Sequence, residues 1–185
     1  LRETLAGQMQ YAYFPVSIEQ MAAEVDYHDL VEGVFAIGDV RIEAQYMNHT
    51  ALALGYRMEC NGVVVVYATD HEPYEPRFGV EGYQPSGGED DRHVAFIAGA
   101  DLLIHDAQYT AEEYPAKKGW GHSPIEYVVD IALAGQVRRL ALFHHDPMRD
   151  DETLDRLVDR ARERVRAAGG TLKVFAAADG QALEF

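Results

Sequence analysis

Apolar and polar positions change period along the chain, and the change divides it. From Val34 onward the pattern is that of strands. Val40–Tyr46, residues 51–60 and Val63–Ala68 are rich in Val, Ile, Leu and Tyr. Asn61-Gly62 between the last two is a type I′ hairpin signal, so an antiparallel meander is predicted. Ahead of it, residues 2–11 read as a helix, and Pro15 ends the helical option. Residues 73–92 mix Pro and Gly without periodicity and predict a long loop; such loops often cover sites.

After that loop helix and strand patterns interleave, which predicts a layered α/β architecture. Helices are expected at residues 91–98, 123–134 and 151–168, and strands at 101–105, Arg139–Phe143, 172–175 and near Leu183. Ser123-Pro124-Ile125-Glu126 reads as a capping box, with Ser at the N-cap and Pro at the first helical position. His122 then sits just ahead of a helix N-terminus. In 151–168, Leu154, Leu157, Val158, Ala161 and Val165 recur at helical spacing and mark a scaffold helix stopped by Gly169-Gly170.

Composition narrows the classes. The chain's 185 residues, 48% apolar, suit one domain-sized core, and residues 1–185 are read as a single domain. The longest apolar run, Val63–Ala68, is far below the roughly 20 residues of a membrane span. No secretory leader is seen, and a cytoplasmic protein is expected. One cysteine, Cys60, excludes an intrachain disulfide framework and a Cys-rich zinc module. A net charge of −15 disfavours a nucleic-acid groove, which needs clustered Lys and Arg. Eight histidines among many carboxylates instead suit zinc, manganese or iron.

Three residues of ligand type follow predicted strands: His49, Asp70 and His144. Strand ends are rigid mounts from which donors can converge. Taken singly, each has a plainer reading. His49 reads as a hydrogen-bonded turn histidine, and Asp70 as a turn or cap aspartate. His144-His145 supplies at most one ligand, since neighbours on a strand face opposite ways.

Met47-Asn48-His49-Thr50, Val65 to Asp70, Asp101 to Ala107, Gly121-His122-Ser123 and Leu140 to Pro147, in this order, resemble metallo-β-lactamase-fold hydrolases. The likeness is to their phosphodiesterase branch, which includes the tRNA 3′-end processing endonucleases and enzymes of cyclic or small phosphodiesters. It implies the C-terminal half of a layered αββα sandwich. It further implies two divalent metal ions, zinc first with manganese or iron as alternatives, with His49 on one, Asp70 bridging and His144 on the other. His122 would lie by the scissile phosphate as the catalytic helper. His105-Asp106-Ala107 resembles the branch's His-Glu-Ala stretch with Asp in place of Glu, and His105 and Asp106 are expected to support the ligands rather than bind metal.

The family's His-x-His-x-Asp-His cluster occurs nowhere in the sequence. The preceding half of the fold is therefore expected to be the missing partner of this chain, which opens on Leu1 in mid-pattern; a homodimer is left open. His28 reads as a surface or strand residue, and His71 and His93 as loop residues. The expected activity is hydrolysis of a small or cyclic phosphodiester. The alternatives are hydrolysis of a thioester, lactone or β-lactam on the same fold, or a non-catalytic partner or sensor domain.

Overall fold

The computed structural model describes residues 2–75 and 82–185, so positions 76–81 of the expected 73–92 loop lie outside the described residues. The chain falls into two compact units, Leu1–Val31 and Glu32–Phe185. In the first, α1 (Arg2–Gln8) is shorter than the predicted helix, and neither it nor the 3-10 turn Ile18–Gln20 buries a residue.

The second unit is built on one seven-stranded sheet whose spatial order repeats the chain order. The strands are β1 (Gly33–Ile37), β2 (Val40–Tyr46), β3 (Leu54–Cys60), β4 (Val63–Ala68), β5 (Leu102–Asp106), β6 (Arg139–Phe143) and β7 (Lys173–Ala176). The first four form the antiparallel meander, and Asn61 and Gly62 both adopt the positive φ that a type I′ turn requires. β4 to β7 are parallel. Their crossovers are α2 (Glu89–Ile97), α3 (Ile125–Ala134) and α4 (Asp151–Ala167). Successive crossovers of one hand stepping in one direction place their helices on one face of the sheet.

Strand alternation then divides the side chains. Val66, Ala68, Leu103, Leu140, Leu142 and Val174 join the helices' Phe96, Ile97, Val128, Ile131, Leu157 and Val165 in the core. The other face is apolar as well. Pairing aligns Phe35 with Ile42, Ile42 with Met58, Met58 with Val65 and Tyr56 with Tyr67 across it. Ile42, Ala44, Leu102 and Ala141 are buried yet belong to no part of the helix-side core.

Three predicted details change. The strand expected near Leu183 does not form; Arg139 instead donates to the Glu184 carbonyl and stacks on Phe185, so side-chain contacts hold the tail. α2 starts within the expected loop, with Glu89, Asp90 and Asp91 in its first turn, where acidic groups favour the helix dipole. The capping box at α3 is absent. Pro124 occupies the N-cap, Ser123 Oγ donates to the His71 carbonyl, and Glu126 accepts from the Ala111 amide.

Candidate functional site

β2, β4, β5 and β6 run the same way, so their C-terminal ends share one edge of the sheet, where open α/β sheets place their ligands. Asp70 follows β4, Asp106 ends β5 and His144 follows β6. His122 reaches the same edge from the segment ahead of α3. One donor atom from each of these four lies within 4.8 Å of the others. His144 Nε2 is 3.4 Å and His122 Nδ1 4.0 Å from Asp70 Oδ1. Asp70 and His144 both have positive φ, 54° and 55°, an uncommon backbone state for residues with a Cβ and one that gathers at functional sites.

The four play unequal parts. Asp106 is fully buried, and four donors fill its roughly four lone-pair directions. Oδ1 accepts from the Gln108 and Ser123 amides at 3.1 and 3.3 Å. Oδ2 accepts from the His71 amide at 3.3 Å and from His122 Nδ1 at 2.6 Å. Asp106 has no lone pair left for a metal and instead orients His122. That hydrogen bond is the chief cause of a raised His122 pKa; burial opposes it, and the charges of Asp106, Asp70 and Glu72 add to it. Asp70 and His144 are more than a third exposed and keep open donor atoms. A carboxylate and an imidazole at this separation suit a divalent cation.

His49 lies beside this group without joining it. Its Nδ1 accepts from the Ala51 amide at 3.3 Å, and its ring is 5.5 Å from that of His122. A Cβ on Gly121 would overlap the His49 ring, and Gly121 has a φ of 91°. Glycine here lets the two loops close on each other.

His105 stays away from the edge. Alternation along β5 turns it to the helix side, where it meets His71 and His93 with all three fully buried. His71 and His93, expected in loops, are thus core residues. His93, Phe96 and Ile97 share one face of α2 at i, i+3 and i+4, and that spacing was the signal for His93. His28 is exposed. His145 Nε2 is buried and has no hydrogen-bond partner.

The buried trio is a poor metal site on its geometry. The His71 and His93 rings stack at 4.0 Å with 16° between planes, so their in-plane lone pairs cannot meet on one ion about 2 Å from each. Partners assign the protons. His71 Nδ1 accepts from the Asn48 amide, leaving its proton on Nε2. His105 donates from Nδ1 to the Asp106 carbonyl at 2.7 Å and accepts at Nε2 from His93 at 3.0 Å. His93 Nδ1 is left buried without a partner. Burial holds His71 and His93 well below the ordinary imidazole range and lowers His105 as well.

Comparison with known proteins agrees with this architecture. A family model described as the β-lactamase superfamily domain matches residues 1–145. Ribonuclease Z of Lactococcus lactis subsp. lactis is 27% identical over 164 residues, covering 70% of this chain and 53% of that protein. The metallo-β-lactamase fold protein YhfI from Bacillus subtilis superposes with a TM-score of 0.59 at 20% identity, over 80% of this chain and 51% of that one. A diphosphatase from the PhnP family gives 0.57 at 16% identity, over 100% of this chain and 65% of that one. The chain thus spans about half the length of the Lactococcus protein. Among the described residues no helix is long and apolar enough to cross a membrane.

Proposed function

Since the chain belongs to the β-lactamase superfamily domain family, we propose that it is the C-terminal part of a metal-dependent hydrolase of small or cyclic phosphodiesters. The observation that carries this reading is the convergence of Asp70, His144 and the Asp106-oriented His122 on one sheet edge. Asp70 and His144 would hold the divalent ions, zinc first, together with His49 and the ligands of a preceding half-fold. The apolar sheet face opposite the helices offers that half a surface for a second layer. When bound, such ions supply positive charge and Lewis acidity toward phosphate oxygens and water.

The protein's own groups do the rest. Asp106 fixes the His122 ring through Nδ1, which leaves Nε2 as the ring's other proton-carrying nitrogen. In the metal-free protein the Asp106 contact raises the pKa of that ring and so favours its protonated form. A proton donor beside a departing alkoxide is worth about 10²–10⁴ in rate. Net charge of −15 favours a small diester over a large polyanion, while kinship to a ribonuclease Z makes RNA the second reading.

The test uses the full-length protein, assayed for bound transition metal and for turnover of bis(p-nitrophenyl) phosphate, a thioester, a lactone and a precursor tRNA. Metal binding that falls in Asp70→Ala and His144→Ala is expected, with diester turnover reduced at least about 100-fold in His122→Ala. A protein without metal, or one that cleaves only carbonyl substrates, refutes the proposal.

A further inference from the structure

Glu72 is a buried carboxylate that hydrogen-bonds to neither His122 nor the proposed ligands. It is 7% exposed, and burying a carboxylate is costly unless donors surround it. Three do. Oε1 accepts from the Tyr114 hydroxyl and the Gly119 amide, each at 2.7 Å, and Oε2 accepts from the Gly121 amide at 2.8 Å. Gly119 and Gly121 have φ of 86° and 91°. This left-handed backbone turns both amides inward as a small anion cradle, and the protein's own carboxylate fills it.

The backbone of Glu72 is tied just as firmly. Its amide donates to the Asn48 carbonyl at 2.8 Å, and Asn48 Nδ2 donates to its carbonyl at 2.9 Å. One residue therefore joins three segments: the turn carrying His49, the loop carrying Asp70 and the segment running through Gly121 into His122. Asp106 sets the His122 ring, whereas nothing in that contact sets where the 119–121 backbone lies.

We propose that Glu72 is a positioning residue, which fixes the Gly119–Gly121 backbone and thereby the place of His122 over Asp70 and His144. Its relevance to turnover rests on the function proposed above, but its effect on the loop does not. The chain supplies a reporter for the loop itself. Trp120, the sole tryptophan of these 185 residues, lies between the two cradle glycines, 57% exposed and with Lys117 Nζ 4.2 Å from its ring.

The experiment compares wild type, Glu72→Gln and Tyr114→Phe in the full-length protein. Gln keeps the volume but turns an NH₂ on donors that need an acceptor; Phe removes one donor and leaves both amide contacts. Glu72→Gln is expected to shift the assigned Trp120 indole and His122 ring resonances while far-ultraviolet circular dichroism is retained. Since a displacement of about 1 Å can cost about 100-fold, kcat on bis(p-nitrophenyl) phosphate should fall about 10- to 100-fold, with KM within about 3-fold. Tyr114→Phe should move both signals in the same direction by less. If Glu72→Gln folds poorly, Tyr114→Phe decides the matter alone. Unchanged Trp120 and His122 signals in the folded variants, or activity falling only with the folded fraction, overturn the proposal. A wild type inactive on every phosphodiester would refute the proposed function, and the two spectroscopic signals would still decide the role of Glu72.

Discussion

Replacing Asp106 by Asn tests the core of the site with little change in volume. The carboxylate accepts two donors on each oxygen, and Asn offers an NH₂ in place of one of them. Whichever way the amide turns, one buried backbone donor, from Ser123 or His71, faces a donor, together with a part-buried one from Gln108 or His122. At about 1–3 kcal/mol for a buried unsatisfied group, the loss is at least about 1–3 kcal/mol, with a smaller addition from the part-buried donor. The loss should also depend on pH. His122 has a raised pKa in the folded state, so it adds stability below its unfolded value of 6.5, and this is lost as pH rises through the folded value. Because the Asp106 contact is the main cause, the variant forfeits that contribution, and its deficit should be larger near pH 6 than near pH 9 by about 1.4 kcal/mol per unit of lost shift. Urea unfolding at the two pH values gives the deficits, and NMR titration of His122 in metal-free protein gives the shift. A deficit below about 1 kcal/mol at both pH values would refute the bonding scheme. His122 titrating as in wild type would refute the assigned cause.

Two further outcomes follow from the core. Asp130 on α3 is buried with Arg164 Nε and an Arg164 terminal amine at 2.6 and 2.7 Å, so Arg164→Ala strands a carboxylate and should cost about 3 kcal/mol in urea unfolding; below about 1 kcal/mol the pair is not acting as a buried one. Burial depresses His93, so its contribution to stability is present above the unfolded value of 6.5 and is lost as pH falls below it, by about 1.4 kcal/mol per pH unit. His93→Gln should flatten that acid slope, and an equal slope in both proteins would show that His93 is not withheld from protons.

Legibility in the sequence followed how local the cause was. β2, β4 and β6 have the predicted bounds because local patterns mark them: alternation in β2, the Asn61-Gly62 turn and a valine run in β4, and an apolar run in β6. Asp70 and His144 could be singled out because each follows such a strand. The α3 cap was misjudged because its rule is local and the winning contact is not: Ser123 Oγ reaches the carbonyl of His71, 52 positions earlier. The sequence predicts His105 and Asp106 as joint supports of the ligands, yet alternation along a five-residue strand sends them to opposite faces, and only Asp106 contacts His122. Glu72 gave no signal, since three donors from 114–121 define its role and none is near it in the chain.

The strand order bears on how the site is made. Every strand pairs with its predecessor in sequence, so each addition to the sheet finds its neighbour already made, although the parallel steps from β4 onward each close over a helical crossover. Synthesis runs the same way, N-terminal elements first. Asp70 and Asp106 are thus in place before His144, and only the docking of β6 brings the last donor to the edge. A chain halted after α3 would contain Asp70, Asp106 and His122 yet lack His144, the donor that faces Asp70. The candidate site is thus encoded across the whole length of the sheet, and its last residue is translated only after most of the strands that mount it.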